Sequence, residues 1–217
     1  MDHLAERQHL ARVGAELYAR RLVAGAEGNL SLKLAPDHFL TTPTGRCKGW
    51  LDAADLVDVD LDGHPLAGAN GRPSSEWGLH REIYLRCADA TAVCHGHPPY
   101  ATACAAAHRE LDARLLTETA LLLGPVPLAA PAVPGTAEVA ASVRPYLPAS
   151  RGLLLANHGA VAWGASLDEA YFNLESVERL AEVTVLTHAL GGGRPLSDDF
   201  LRRAGRPSPG QDTGPPR

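Results

Sequence analysis

The sequence predicts an α/β protein whose sheet is at least partly antiparallel. Segments that alternate apolar and polar residues, as strands do, are mixed along the chain with segments of helical periodicity. The turn Asp62-Gly63 directly follows one alternating segment, and such a turn favours an antiparallel hairpin. With 217 residues, of which 45% are hydrophobic and 21% charged, the chain is long enough for one large domain with a substantial core.

Helical spacing and helix-start residues define the predicted helices. In the first, Leu10, Val13 and Leu17 lie on one face. Serines before Glu76 can cap the second, and Pro98 is acceptable in the first turn of the third. The predicted helices cover residues 4–23, 76–86, 98–107, 136–146 and 166–190.

The predicted strands are short and are separated by turn residues. They cover residues 29–34, 39–42, 55–60, 91–95, 152–156 and 160–163. We expect residues 1–195 to form one folded domain. Residues 196–217, rich in Pro, Gly and Arg towards their end, are expected to form a disordered C-terminal tail.

Composition excludes several classes of function. The formal charge of -5 and the pI near 6.0 argue against a nucleic-acid partner. No run of about 18 apolar residues predicts a membrane span, and the N-terminal segment lacks the apolar stretch of a secretory signal. We therefore expect a cytoplasmic protein whose cysteines are reduced thiols. The cysteines are Cys47, Cys87, Cys94 and Cys104.

The pair His95 and His97 is the sharpest chemical signal. On a strand, side chains two residues apart point to the same side, so both imidazoles can face one metal ion. Gly96 removes bulk between them, and Cys94 is expected on the opposite face. Such a pair also occurs without a metal, so the signal needs further ligands.

His158 and Glu76 supply two further candidate ligands. His158 follows the apolar run 153–155, where it could also be a core histidine that bonds to the backbone. Glu76 begins a predicted helix, where the helix dipole alone would favour a carboxylate. His80 shares its face and is expected to lie behind the ligands or in the core. Three nitrogens and one oxygen suit Zn2+, with Mn2+ or Co2+ as alternatives.

A second group of residues has the composition of a phosphate site. A basic residue is not the main feature of this group. Its glycines let backbone N–H groups approach an anion, and its hydroxyls and helix start add donors. Taken singly, each segment is more often a plain turn. The group consists of Gly28, Asn29, Thr44, Gly45, Ser74 and Ser75.

Five motifs, taken in their order along the chain, make the sequence resemble the class II aldolase and adducin head family. The resemblance is strongest to its L-fuculose-1-phosphate aldolase branch. The motifs are GNLS (28–31), TPTG (42–45), SSEWGLH (74–80), HGH (95–97) and NHG (157–159). The resemblance covers about residues 5–190. It implies a three-layer α/β/α sandwich with a largely antiparallel central sheet, assembled as a fourfold homotetramer.

The resemblance also assigns roles to the candidate residues. It implies zinc on Glu76, His95, His97 and His158, with Glu76 as the acid/base. It implies that the second group binds the phosphate of the substrate. Breaking a carbon–carbon bond beside a ketone generates an enediolate, whose negative charge a Lewis acid stabilises.

The aldehyde end departs from the branch. Where the fuculose-phosphate enzymes carry a tyrosine, this chain places Glu118, a candidate substrate-binding residue, and no tyrosine follows Tyr171. The leading prediction is a zinc aldolase that cleaves a small phosphorylated ketose, such as L-fuculose 1-phosphate, to dihydroxyacetone phosphate and an aldehyde. The alternatives are a decarboxylase, epimerase or dehydratase on the same site, and a metal-free scaffold on the same fold.

Overall fold

The computed structural model describes residues 2–205 as a seven-stranded sheet with helices on both faces. The strands are β1 (Asn29–Ala35), β2 (His38–Thr41), β3 (Val57–Val59), β4 (Ala92–Gly96), β5 (Leu128–Ala129), β6 (Gly152–Leu155) and β7 (Gly159–Gly164). The helices are α1 (Leu4–Ala19), α2 (Trp77–Arg86), α3 (Pro99–Ala106), α4 (Ala137–Val143), α5 (Leu167–His188) and α6 (Asp198–Arg203).

The sheet is almost entirely antiparallel, as predicted. Its strand order is β3-β2-β1-β4-β7-β6-β5, and among these described strands only the edge pair β5–β6 is parallel. The strand β4, which carries His95, lies between β1 and β7 at the centre of the sheet. His95 is paired with Asn29 on one side and with Val161 on the other. This register brings the two predicted groups of site residues to the same end of the sheet.

Two hydrophobic cores cover the two faces of the sheet and give the three layers. Alternation along one strand shows the division: Leu154 belongs to one core, whereas Leu153 and Leu155 belong to the other. The first core packs α1, α3 and α5 on the sheet. The second packs α2 and α4. Cys94 lies in the first core, on the face opposite His95, which confirms that it is no candidate ligand.

The predicted helices and strands all form, with corrected ends. The first helix ends at Ala19 instead of residue 23, because the chain turns at Arg21 with φ 61°. The predicted strand 55–60 shortens to Val57–Val59, since a 3₁₀ turn occupies Ala53–Asp55. The predicted helix 136–146 becomes α4 followed by the 3₁₀ turn Arg144–Tyr146 at Pro145, which lacks a backbone N–H.

Several features were not predicted from the sequence. Two residues form β5, and Thr119–Leu123 forms one turn of π-helix. The helix α6, capped by the Ser197 hydroxyl, lies within the segment assigned to the tail. Residues 206–217 of that prediction lie outside the described residues. All four cysteines are free thiols, as expected. Among residues 2–205, no helix combines the length and hydropathy needed to cross a membrane.

Two glycines allow the strands and loops of the site to approach closely. A Cβ on Gly159 would lie 2.4 Å from the carbonyl oxygen of Gly96 and 2.7 Å from Cδ2 of His97. A Cβ on Gly96 would lie 2.6 Å from the carbonyl oxygen of Leu22. The backbone itself provides the nearest atoms, so a side chain at either position forces the strands apart.

We expect Gly159→Ala to lower the free energy of unfolding by about 1–3 kcal/mol, the usual cost of overpacking. The matched control is Gly78→Ala, because Gly78 lies in α2 with open space around its Cβ position. That substitution should be neutral or stabilise by up to about 1 kcal/mol. Urea denaturation of both variants in the presence of a chelator measures the packing cost alone. Equal stability of the two variants would contradict the account.

Candidate metal centre

Three histidines from two separate parts of the chain meet at one end of the sheet. His95 and His97 lie at the end of β4, and His158 lies in the turn between β6 and β7. Their ring centroids are 4.8–5.1 Å apart, which makes a nearly equilateral triangle. One ring nitrogen of each lies within 4.8 Å of the others. The turn at Asn157, with φ 59°, directs the chain so that His158 faces the pair.

The carboxylate of Glu76 completes the cluster. Glu76 immediately precedes α2, and its oxygens lie 3.2 Å from Nε2 of His95 and 3.5 Å from Nε2 of His158. The four residues predicted as ligands are therefore brought together. His95 is fully buried, and the side chains of Glu76 and His158 are largely buried.

The cluster contains buried polar atoms without hydrogen-bond partners. They are Glu76 Oε1, His95 Nε2 and His97 Nε2. His95 Nε2 lies close to the carboxylate but without hydrogen-bond geometry. Most buried polar atoms in proteins are hydrogen-bonded, so three unpaired atoms that converge need an explanation. A divalent cation would satisfy all three, and a set of three imidazole nitrogens and one carboxylate oxygen suits zinc.

A hydrogen bond behind the ring of His95 and an ion-pair contact behind the ring of His97 turn their Nε2 atoms towards the centre. Nδ1 of His95 donates to the carbonyl oxygen of Ala160 at 2.9 Å. Nδ1 of His97 lies 3.3 Å from an oxygen of Glu27. Such outer partners fix the tautomer and orientation of metal-binding histidines.

The pKa shifts of His97, His158 and Glu76 favour the forms of these groups that bind a metal. Burial, followed by the neighbouring charges of His95 and His158, lowers the pKa of His97 to about 4. Burial and His95 also lower the pKa of His158. Burial alone would raise the pKa of Glu76, but His95, His158 and Asn29 outweigh it and lower that pKa. Neutral imidazoles and an ionised carboxylate are the forms that bind a metal.

A buried network behind the cluster holds Glu76 in place. Nδ2 of Asn29 donates to Oε2 of Glu76 at 2.8 Å, and Oδ1 of Asn29 accepts from Nε2 of His80. Nδ1 of His80 bonds to the Ser31 hydroxyl at 2.6 Å. Burial lowers the pKa of His80 to about 3, so its ring is neutral. His80 therefore lies behind the cluster of three histidines, and Asn29 holds Glu76 in a way that the sequence did not indicate.

The predicted anion-binding residues line one cavity of about 120 Å³ beside the cluster. Its wall also includes Glu76 and His97, so the anion cavity and the histidine cluster are adjacent. The six predicted residues in this wall are Gly28, Asn29, Thr44, Gly45, Ser74 and Ser75. Lys48 also lines the cavity, although no basic residue was expected as its main feature. Its position just after the TPTG motif was the one available signal.

A second cavity, of about 220 Å³, lies on the other side of Glu76. It shares Ser75 and Glu76 with the anion cavity, and Thr136 adds a hydroxyl. The rest of its wall is apolar or glycine: Gly78, Leu79, Gly135, Ala137 and Val139. Glu76 is therefore the titratable side chain of this wall and lies between the two cavities.

Glu118 is not part of either cavity. It lines a separate, more open cavity of about 710 Å³ with residues such as Arg20 and Phe172. It precedes the π-helical turn Thr119–Leu123, which packs against α5. Within this chain, the structure does not bring Glu118 to the histidine cluster.

Known proteins with the same fold carry several related activities. The 3-oxo-tetronate 4-phosphate decarboxylase of Escherichia coli K12 is 34% identical over 195 residues, which cover 88% of this chain and 89% of the enzyme. The methylthioribulose-1-phosphate dehydratase of Acidiphilium cryptum is 35% identical over 192 residues, 82% of this chain and 90% of the enzyme. The crystal structure of L-fuculose-1-phosphate aldolase from Thermus thermophilus superposes with a TM-score of 0.75 at 35% identity, over 88% of this chain and all of that one.

The family assignment follows from the fold and from a family-wide match. The family is metal-dependent, in agreement with the histidine cluster. Its model, described as the class II aldolase and adducin N-terminal domain, matches residues 8–185, which include the whole candidate site. The chain belongs to the class II aldolase and adducin N-terminal domain family.

Proposed function

We propose that the protein is a metal-dependent decarboxylase of a short phosphorylated 3-keto sugar acid, such as 3-oxo-tetronate 4-phosphate. The observation that carries the proposal is the position of Glu76. It lies between an anion cavity and a mostly apolar cavity, beside a cluster of three histidines. The decarboxylase relative named above supports the same choice.

The metal end of the site consists of Glu76, His95, His97 and His158. We propose that these residues hold one divalent ion, with zinc first and manganese or cobalt as alternatives, because three of their buried atoms lack partners. When bound, the ion supplies Lewis-acid stabilisation of the negative charge that develops on a keto oxygen.

The phosphate end is the cavity beside the cluster. The hydroxyls of Thr44, Ser74 and Ser75 and the amide of Asn29 line it, and Gly28 and Gly45 leave the backbone open. These groups donate hydrogen bonds to phosphate oxygens and fix the distance between the phosphate and the reacting carbons.

In the proposed reaction, the bond between the carboxylate carbon and its neighbour breaks. The electron pair of that bond moves into the adjacent keto group, carbon dioxide leaves, and the carbon that lost it takes up one proton. For 3-oxo-tetronate 4-phosphate, the products are carbon dioxide and dihydroxyacetone phosphate. One acid/base group is sufficient: because Glu76 is ionised in the free site, its carboxylate would first take a proton from water and then deliver it to that carbon.

The second cavity favours carbon dioxide over an aldehyde as the leaving group. Aldol cleavage needs a base to take the proton from the hydroxyl that becomes the aldehyde. In the wall of this cavity, the described residues offer hydroxyls and apolar groups besides Glu76. Its apolar side disfavours a charged carboxylate and favours neutral carbon dioxide. The sequence alone ranked aldol cleavage first. We therefore rank decarboxylation above it.

Aldol cleavage remains the second candidate, because the chain is 35% identical to the Thermus thermophilus aldolase over 88% of its length. In that case Glu118 would have to approach the site from another subunit of the homotetramer that the family resemblance implies. Glu118 lies at a separate cavity of its own chain.

The deciding experiment is incubation of the metal-loaded protein with 3-oxo-tetronate 4-phosphate and, separately, with L-fuculose 1-phosphate. We expect equal amounts of carbon dioxide and dihydroxyacetone phosphate from the first substrate and no cleavage of the second. Cleavage of the second substrate alone would replace the decarboxylase with the aldolase. The reaction without protein corrects for spontaneous decarboxylation.

We expect His97→Ala to weaken metal binding at least about 100-fold, because one of four ligands is lost, and to abolish turnover. Of the three histidines, His97 is the best one to substitute, because its side chain is the most exposed, at 21%, and its loss disturbs the core least. Metal titration with circular dichroism measures binding and folding together. The control is His64→Ala at an exposed position. Unchanged metal affinity in His97→Ala would refute its role as a ligand.

We expect Glu76→Gln to bind metal more weakly but still to be loaded through the three histidines at saturating metal, and to lower kcat of the loaded protein by about 10²–10⁴-fold, because the proton carrier is lost. Metal content and steady-state kinetics of the same preparation separate the two effects. Glu110→Gln, at an exposed position, is the matched control and should behave as wild type. Full activity of Glu76→Gln would exclude the acid/base role.

A further inference from the structure

Lys48 is a buried cation in the wall of the anion cavity. It begins the 3₁₀ turn Lys48–Trp50, and the residue is only 2% exposed. A lysine is rarely buried without a partner of opposite charge. The chain contains one other lysine, Lys33 on β1. The burial of this charge at the cavity therefore needs a reason.

The ammonium group connects the two loops that form the cavity. Nζ donates to the carbonyl oxygen of Ala26 at 2.8 Å and to that of Arg46 at 2.7 Å. Ala26 precedes Gly28, and Arg46 follows Gly45, both of which line the cavity. An ammonium has three N–H donors, so these two bonds leave one for a ligand. Neutral carbonyl groups do not balance its charge.

The electrostatic balance of the cavity shows what Lys48 changes. Its described wall contains two carboxylates, those of Glu27 and Glu76, together with neutral hydroxyl, amide and glycine groups. Lys48 is the one lysine or arginine among the described wall residues. Without it, the wall would be negative and would repel a phosphate dianion.

We propose that Lys48 pairs with the phosphate group of the substrate and is the residue by which this chain selects a phosphate monoester over the unphosphorylated keto acid. The inference rests on the proposed function and adds a specificity-determining residue to it. Burial lowers the pKa of Lys48 to about 8, and the neighbouring charges of Cys47 and Glu76 offset only part of that effect.

The first test uses the wild-type protein and inorganic phosphate. Protein labelled with ¹³C at the lysine ε-carbons gives signals from two lysines, Lys33 and Lys48. We expect added phosphate to shift the Lys48 signal in a saturable way and to leave the Lys33 signal in place. An unchanged Lys48 signal while phosphate binding is observed by calorimetry would overturn the proposal. Because no substitution is needed, impaired folding of a variant does not affect this test.

The second test compares Lys48→Met with Lys33→Met. We expect Lys48→Met to weaken phosphate binding at least tenfold and to raise KM for the phosphorylated keto acid by a similar factor, with kcat changed only a few fold. Turnover of the unphosphorylated analogue should be nearly unchanged, so discrimination between the two substrates falls. A merely structural role would lower turnover of both substrates equally. Lys33→Met should match wild type in every measurement.

The outcomes separate this inference from the proposed function. If the wild-type protein binds no phosphate, the anion cavity is wrong and both fail. If it binds phosphate equally well with and without Lys48, the inference alone fails. If Lys48 responds to phosphate but no carbon dioxide is released from the keto acid, the inference stands and the decarboxylase assignment fails.

Discussion

The convergence of three imidazoles and one carboxylate is the constraint on which the rest of the structure depends. Buried polar atoms that point at one another without hydrogen bonds are costly, and here three of them share one position. The surrounding structure fixes them there: His95 is bonded through its far nitrogen to Ala160, and Glu76 is held by Asn29. An ion at this position would bond to all three atoms and so offset this cost, which is why the arrangement favours metal binding.

The central sheet makes this convergence possible. Because β4 is paired with β1 and β7, residues from distant parts of the sequence meet at one end of three adjacent strands. Gly159 allows the turn of His158 to approach the backbone of Gly96. Asn29 lies in the anion cavity and also bonds to Glu76, so under the proposed function it links phosphate binding to the proton carrier. This contact through one amide joins the two predicted groups of residues.

Much of this could be predicted from the sequence, and the remainder depends on tertiary contacts. The alternation around His95 and the motifs near Glu76 and His158 identified the four clustered residues, because strand periodicity and helix starts are local properties. Lys48 was missed because nothing local shows that its ammonium reaches the carbonyl of Ala26, 22 residues earlier. The placement of Glu118 at another cavity also follows from packing. The preference for carbon dioxide over an aldehyde as the leaving group comes from the wall of the second cavity. Two separate segments of the chain form that wall, so the sequence alone did not reveal it.

The most direct test of the account is anomalous diffraction from crystals of protein purified without added metal, measured on both sides of the zinc absorption edge and, if zinc is absent, of the manganese and cobalt edges. The account predicts one anomalous peak per chain, bound by nitrogens of His95, His97 and His158 and an oxygen of Glu76 at about 2.0–2.2 Å, the distances typical of zinc. Absence of a peak at this position, also after soaking in each metal, would contradict it.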